Sequence, residues 1–300
     1  LDANTSASDN TAVGYNCLGD NTTGVNNTAL GSNALLKNTT SNNNTAVGAS
    51  ALYINTTGAS NVAVGVNALD ANTTANNNTA VGNDALGANT TGTDNTSIGT
   101  GALQDSTTGD SNVAVGRLAL ENNTTASNNT AVGKSASASN TTGSDNTSVG
   151  TGALQANTTG ESNTCIGKDA GAASTDSNNT FIGRGAGHTL QSGSNNVCIG
   201  RDSITSSTSV SNEITLGNSS ITTLRCQTQT ISGLSDARDK TNIVDIADGL
   251  ELINNLRPRK FTWAMRQPSA NNGTTHLGFI AQELDQAIGS KNDYMHLVDK

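Results

Sequence analysis

The chain has 300 residues and is dominated by Asn, Thr, Gly and Ala, with only one Trp, three Tyr, three Phe and two Pro. So few large apolar side chains cannot offset the chain entropy of a compact globule, and the composition alone predicts disorder. The net charge of −9 lies wholly in residues 1–217, which hold 6 Lys or Arg against 15 Asp or Glu. An acidic segment is a poor binder of nucleic acid or anionic membranes, and no apolar run is long enough to insert across a bilayer. Because the chain begins at Leu1 rather than Met, we expect it to be a fragment, so the lack of a leader is uninformative.

A 17-residue repeat overrides the compositional prediction of disorder, because a strict repeat lets weak contacts add along a stack of coils. Each repeat follows the pattern Asn-Thr-Ala-Val-Gly-x-x-Ala-Leu-x-x-Asn-Thr-Thr-Gly, and successive central glycines are 17 residues apart except for one step of 16. The central glycines are Gly14, Gly31, Gly48, Gly65, Gly82, Gly99, Gly116, Gly133, Gly150, Gly167, Gly183, Gly200 and Gly217. This period predicts a mainly β fold: a parallel β-solenoid or β-roll of about 13 coils over residues 1–221, roughly 60 Å long at about 4.8 Å per coil.

Two aliphatic rows are expected to form the core of the solenoid. The residue before each central glycine is aliphatic and mostly β-branched, from Val13 to Leu216, which favours a strand. A second aliphatic row lies four residues after the glycine, as at Leu18 and Leu154. Each coil would then contain two short strands, with the glycine forming a corner at positive φ. The prediction is that both aliphatic rows stack into one continuous spine.

The remaining rows predict a turn and a face for self-association. The second residue before the glycine is usually small, as at Ala12, Ala46 and Ser97, and would point to the opposite side of the strand. Two aliphatic residues per coil make a thin core, so we expect copies of the chain to pack closely along this small row, most simply as a homotrimer. An Asn four residues before the glycine, such as Asn61, predicts a ladder of stacked amides at a turn.

The four cysteines indicate neither a disulfide framework nor a metal site. Cys17, Cys165, Cys198 and Cys226 are far apart, form no CxxC pair and are not flanked by histidine. Cys165 and Cys198 fall in the small row two coils apart, a separation of about 10 Å that is too long for a disulfide. We therefore expect small buried apolar residues, with no cofactor and no metal.

Threonine pairs and Asn-Thr-Thr triplets recur along the repeat. A threonine ladder could order water as an ice-binding surface does, although Thr-Thr-Gly is more simply a turn. The triplets are also N-glycosylation sequons, which matter only in a secretory pathway that glycosylates. They begin at Asn21, Asn38, Asn55, Asn72, Asn89, Asn123, Asn140 and Asn157. With few aromatic residues, the repeat predicts a spacer or a weak multivalent surface rather than a deep sugar-binding pocket.

The motif Asn-Thr-Ala-Val-Gly-x-x-Ala-Leu resembles the head repeats of trimeric autotransporter adhesins and repeats in phage tail fibres. The resemblance covers residues 1 to about 221. It implies a parallel β-roll and a homotrimeric rod.

Composition changes after Ile221, where larger apolar and basic residues become frequent. Residues 222–234 alternate loosely and predict an extended connector. Leu250, Ile253 and Leu256 have helical spacing, ended by Pro258. Residues 260–263 predict a strand, and residues 276–288 predict a strand followed by a helix. Residues 235–300 are therefore expected to form a small α+β domain.

Three blocks of this C-terminal segment carry a second resemblance: Leu234–Ile243 (LSDARDKTNI), Leu256–Trp263 (LRPRKFTW) and Gly278–Glu283 (GFIAQE). In order and spacing they resemble the endosialidase-type intramolecular chaperone, a self-cleaving C-terminal module of phage tail spikes and fibres. Members of that family usually continue into a long helical region, so we expect residues 235–300 to be a truncated chaperone domain.

The chaperone resemblance implies a Ser-Lys dyad, with Ser235 as nucleophile, Lys240 as its base and a single cut between Leu234 and Ser235. A serine hydroxyl needs a neighbour to remove its proton, and lysine serves only if burial or a nearby cation such as Arg238 lowers its pKa. At most this is a single-turnover endopeptidase, and the shaft is not an enzyme. The simpler alternative is that the Ser-Lys spacing is coincidental and that Arg238 and Asn242 order a turn.

The leading interpretation is a homotrimeric tail fibre of a phage-type virion that attaches to a host-surface receptor, either a glycan or a surface protein. Its C-terminal chaperone would drive trimerisation and then release itself. One alternative is a trimeric adhesin on a bacterial cell surface or outside the cell, and another is an ice- or surface-binding solenoid.

Overall fold

The computed structural model describes residues 3–225, 254–262, 275–280 and 283. Contacts within the chain divide it into two units, Leu1–Leu224 and Arg225–Lys300. The first unit consists of the repeated coils. The described residues of the second unit lie in and next to a single hairpin. Cys226 and most of the predicted connector, residues 222–234, lie outside the described residues.

Strands β1 to β13 form one parallel sheet in the first unit, in which each strand pairs with the next along the chain. The strands are Thr11–Val13, Thr28–Leu30, Thr45–Val47, Val62–Val64, Thr79–Val81, Thr96–Ile98, Val113–Val115, Thr130–Val132, Thr147–Val149, Thr164–Ile166, Thr180–Ile182, Val197–Ile199 and Ile214–Leu216. Pairing is offset by one repeat, so that Thr79 lies beside Thr96 and Val81 beside Ile98. The predicted parallel β-solenoid with a 17-residue repeat is confirmed.

Each described coil contains one strand of this sheet, and the prediction of two strands per coil was wrong. The leucine row lies in a turn, where Leu52 has φ +51° and Leu86 has φ +53°. A positive φ costs a bulky residue about 1–2 kcal/mol. Both leucines are fully buried, and burying such a side chain contributes roughly 1.5–3 kcal/mol. The strained turn persists because it directs leucine into the core.

The strands face the opposite way from the prediction. The small row lies inside, where Ala46 and Ala80 are fully buried, while the aliphatic row faces outward, with Val13 56% and Ile98 41% exposed. The leucine row already fills the narrow interior, so only a small side chain fits on the inner side of the strand, because protein interiors are close-packed. The core therefore consists of leucine and alanine rows, and the prediction that the small row is an association face was wrong.

Phe181 replaces the missing leucines in the coils that carry Gly171 and Gly187. Its side chain occupies the inner position of β11 and is fully buried. A Cβ added at Gly171 would lie 2.7 Å from the Phe181 ring and 2.8 Å from Cys165 Sγ, and a Cβ added at Gly187 would collide with the same ring. In these coils the large side chain comes from the strand rather than from the turn, and the interior is still filled.

The predicted asparagine ladder is confirmed and links each coil to both neighbours. The backbone N–H of Asn61 donates to Oδ1 of Asn44 in the preceding coil (2.9 Å), and Asn61 Nδ2 donates to the carbonyl of Ala75 in the next coil (2.9 Å). Equivalent bonds recur along the rod, as at Asn95 and Asn146. Because an unpaired buried amide costs about 1–3 kcal/mol, this row fixes the register between coils.

A second asparagine row, formed by the sequon asparagines, is interrupted at Ser106. Asn72 Nδ2 donates to Asn55 Oδ1 (2.8 Å), and Asn89 Nδ2 donates to Asn72 Oδ1 (3.0 Å). Ser106 occupies the next position of this row and is fully buried. Asn89 Oδ1 and Ser106 Oγ have no hydrogen-bond partner in the described part of the chain. The serine side chain is too short to continue the ladder.

The central glycines form the predicted corners at positive φ, for example +135° at Gly99. They also permit close approach between coils. A Cβ added at Gly99 would lie 2.6 Å from both the carbonyl carbon and the carbonyl oxygen of Gly116. Glycine is therefore required here by backbone conformation and by space.

The described part of the second unit is an antiparallel hairpin of β14 (Arg259–Thr262) and β15 (Thr275–Gly278). Both strands lie where strands were predicted. Of the predicted helix before Pro258, residues 254–255 are helical, residues 256–257 are not, and the residues before 254 lie outside the described ranges. Within the ranges that the structure describes, no helix is long and apolar enough to cross a membrane.

Replacing Gly99 with alanine should destabilise the rod by about 3 kcal/mol, through backbone strain and the clash with the next coil. The matched control is Gly87→Ala, because Gly87 has no positive φ and its added Cβ would lie 3.4 Å from the nearest atom. Denaturant unfolding followed by circular dichroism measures both. Equal stability of the two variants would contradict the close-approach role of the central glycines.

Replacing Ser106 with asparagine should stabilise the rod by about 1 kcal/mol, because the new amide would donate to Asn89 Oδ1 and complete the ladder. Ser106→Ala is the control, since it removes the unpartnered hydroxyl without adding a donor. The same unfolding assay applies. Asparagine at or below the stability of alanine would show that continuity of this row contributes nothing.

Candidate functional site

The predicted cleavage site lies outside the described residues. This applies to Leu234, Ser235, Lys240, Arg238 and Asn242 alike. The Ser-Lys dyad, the cut and the supporting roles therefore stay predictions.

An ion pair joins two of the three C-terminal blocks that the sequence singled out. Arg259 Nε donates to Glu283 Oε2 (2.7 Å), and Arg259 Nη2 donates to Glu283 Oε1 (2.6 Å). This two-point geometry is the strongest that arginine makes with a carboxylate. The hydrogen bond from Arg259 holds the pKa of Glu283 below its usual value, and the bond to Glu283 raises the pKa of Arg259. Both side chains are partly exposed, so the pair contributes more to orientation than to stability.

The ion pair brings the second and third blocks together although Arg259 and Glu283 are 24 residues apart. In the hairpin, Arg259 lies opposite Gly278, the first residue of the third block. The sequence analysis used both blocks without pairing these two residues. The available signal was one of two arginines in the second block, Arg257 and Arg259, and the glutamate that ends the third block.

Residues 235–291 match the family Peptidase_S74, the chaperone of endosialidase. The matched segment contains β14, β15 and Glu283, and it begins at Ser235. No curated protein matches the chain. The C-terminal segment is thus similar to an endosialidase chaperone, and the match does not extend into the repeat.

The main unpartnered surface of the shaft is the outward row of aliphatic residues, here called the outer row. It runs along the rod and contains one residue from each strand, and every member is exposed or half-buried. Its members are Val13, Leu30, Val47, Val64, Val81, Ile98, Val115, Val132, Val149, Ile166, Ile182, Ile199 and Leu216. A continuous apolar strip of this length is typical of a surface that another molecule covers.

The sequon asparagines and the first threonine of each pair serve the fold. Asn38 and Asn55 are fully buried, so a glycan cannot be attached to them in the folded coil. Thr22 Oγ1 donates to the carbonyl of Thr39 in the next coil (3.0 Å). The same bond recurs at Thr56 (3.0 Å). These contacts favour the structural interpretation, in which Thr-Thr-Gly is a turn, and ice binding remains an untested alternative.

The described cysteines are buried, as expected for small apolar residues. Cys165 is fully buried between β9 and β11, and burial raises the pKa of its thiol to about 12. Burial likewise raises the pKa of the Cys198 thiol. Neither thiol is therefore activated as a nucleophile. Among the described residues, no group of three or more His, Cys, Asp or Glu could hold a metal ion.

Proposed function

We propose that the chain is the shaft of a homotrimeric, phage-type tail fibre that reaches and attaches to a host-surface receptor. Its C-terminal segment is an intramolecular chaperone that assists trimer assembly. The observation that carries the proposal is the combination of a repetitive β-solenoid with a following segment similar to the chaperone of endosialidase. A rod built from 17-residue coils extends a binding surface away from its point of attachment without any catalytic site.

The outer row supports self-association of the shaft. Leu30 is 47% exposed and Leu216 is 53% exposed, although both are large apolar residues on regular strands. Every copy of the chain presents the same strip, so rods that pack around a common axis would cover it. In this arrangement the alanine and leucine rows stabilise each rod, and the outer row stabilises the trimer.

The chaperone segment supports a one-time assembly role. Three long rods must align before their outer rows can be covered, which is slow because the contacts are repetitive and could form out of register. A C-terminal trimerisation module would hold the three ends together while the rods align. Its removal afterwards would leave the fibre kinetically trapped, since the assembly aid is no longer present for the reverse reaction.

The proposed removal step is chemically simple. Lys240, as a neutral amine, accepts the hydroxyl proton of Ser235 while Ser235 Oγ attacks the carbonyl carbon of Leu234. The bond between the Leu234 carbonyl carbon and the Ser235 nitrogen breaks as the proton passes to that nitrogen, leaving an ester. Water then hydrolyses the ester, which gives a carboxylate at Leu234 and restores the hydroxyl of Ser235.

Receptor attachment would be multivalent. Depressions on the described rod surface, such as the one lined by Asp169, Arg184 and His188, are open to solvent rather than enclosed. Weak contacts repeated along three copies can give high overall avidity without a deep pocket.

Self-release predicts two fragments, residues 1–234 and 235–300, when the purified chain is examined by denaturing electrophoresis and mass spectrometry. Ser235→Ala should leave the chain intact because the nucleophile is lost, and Lys240→Ala should do the same because the base is lost. Ser232→Ala, three residues before the cut, is the control and should be cleaved like the parent. An intact parent chain, or a cleaved Ser235→Ala chain, would contradict self-release.

A further inference from the structure

The basic residues of the acidic shaft are concentrated in one row. Residues 1–217 contain six Lys or Arg, and five of them directly follow a central glycine. This basic row consists of Arg117, Lys134, Lys168, Arg184 and Arg201, which follow strands β7, β8, β10, β11 and β12. All five are exposed. The sixth, Lys37, lies in another row and pairs with Asp20 of the preceding coil at 3.0 Å.

The fold stacks the like charges of the basic row in neighbouring coils. The N–H of Ser135 donates to the Arg117 carbonyl (3.0 Å), and the N–H of Asp202 donates to the Arg184 carbonyl (2.8 Å). These bonds place Lys134 beside Arg117 and Arg201 beside Arg184, about 4.8 Å apart along the rod. Like charges at this distance repel. Within the described residues Arg117, Lys134 and Arg184 form no ion pair, so a partner of opposite charge would relieve the repulsion.

An acidic row lies at the other end of the same strands. Its members lie one or two residues before the buried turn asparagine that precedes each strand, and all are exposed. They are Asp94 before β6, Asp110 before β7, Asp145 before β9 and Glu161 before β10. The outer row lies between the acidic and basic rows. The strand face that is proposed to pack against other copies is therefore bordered by negative charge where the strands begin and by positive charge where they end.

Symmetry decides how these borders meet. When parallel rods are related by rotation about the rod axis, the end of each strand in one copy faces the start of a strand in the next copy, whatever the number of copies. The basic row then meets the acidic row. When rods are antiparallel and packed face to face, ends meet ends and like charges are juxtaposed. Rotation about a common axis keeps the coils of all copies level, and the strands that then carry a charge at both ends are β7 and β10.

We propose that the basic and acidic rows set the orientation of the assembled shaft, by pairing between copies that run parallel around a common axis. Lys168 and Glu161, which flank β10, and Arg117 and Asp110, which flank β7, are the pairs at matching height. This inference rests on the self-association proposed above. Electrostatic complementarity of this kind excludes wrong arrangements more than it adds affinity.

Reversing four residues of one row at a time tests the arrangement. One variant carries Arg117→Glu, Lys134→Glu, Lys168→Glu and Arg184→Glu, and a second carries Asp94→Lys, Asp110→Lys, Asp145→Lys and Glu161→Lys. Each places like charges together, so sedimentation equilibrium at low salt should show self-association weakened by about 100-fold or more. A third variant with both rows reversed restores opposite charges with exchanged signs and should associate like the parent.

The control for added negative charge carries Thr108→Glu, Thr125→Glu, Thr142→Glu and Thr159→Glu, at exposed turn positions away from the strands. It should associate like the parent, and circular dichroism checks that every variant retains the β fold. Association that is unaffected by either single reversal overturns the inference and leaves the homotrimer proposal standing. Association that is not regained in the doubly reversed variant also overturns it. A parent chain that stays monomeric overturns the self-association proposal and this inference with it.

Carbodiimide coupling of the parent tests the register directly, because it joins an amine to a carboxylate only where the two touch. Labelled and unlabelled copies assembled together should yield Lys168 coupled to Glu161 between chains, identified by mass spectrometry. Coupling of Lys168 to Asp145, one coil away, would overturn the level arrangement that rotation about a common axis requires.

Discussion

The narrowness of the 17-residue coil is the constraint on which the rest of the structure depends. One turn of backbone encloses space for a leucine from the turn and a small side chain from the strand, as Leu86 and Ala80 show. Where the turn residue is glycine, the strand supplies Phe181 instead, so the filled volume is kept while its source changes. Close packing of a fixed small volume, rather than hydrophobicity alone, decides which side chains point inward.

A core this thin leaves much of the stabilisation to hydrogen bonds. Asn44 and Asn61 are fully buried, yet the backbone N–H of each bonds to the preceding coil and the side-chain Nδ2 bonds to the next, so burial of these polar groups is compensated. The same narrowness leaves the outer row uncovered on a single rod. The fold thereby separates two roles: side chains inside the coil specify the rod, and side chains outside it are free to specify assembly.

Much of the architecture followed from the repeat. The glycine spacing predicted the coil, the parallel register and the positive φ of residues such as Gly99, because only a stacked arrangement brings identical residues together every 17 positions. The side of the strand that faces the interior was predicted wrongly. Valine is more apolar than alanine, and alternation alone does not reveal the volume available inside the coil. The same error hid the outer row as a surface. That Leu52 sits in a turn at positive φ is likewise invisible to a propensity argument, because tertiary burial overrides the local cost.

The C-terminal unit was predictable in a different way. Hydrophobic alternation located β14 and β15, and the three blocks indicated the chaperone resemblance that the family match to residues 235–291 bears out. The pairing of Arg259 with Glu283 required the hairpin geometry, which sequence spacing does not supply. The dyad of Ser235 and Lys240 stays a prediction because both residues lie outside the described ranges.

The central claim is that the outer row is the surface at which copies of the rod meet. Sedimentation equilibrium of a variant carrying Val64→Asp, Val81→Asp and Val115→Asp tests it most directly, beside a control with Thr57→Asp, Thr74→Asp and Thr108→Asp in the same coils. The account predicts a trimer mass for the parent and the control, and a shift toward monomer mass for the outer-row variant with its β signal retained. An outer-row variant that keeps the mass of the parent assembly would contradict the claim.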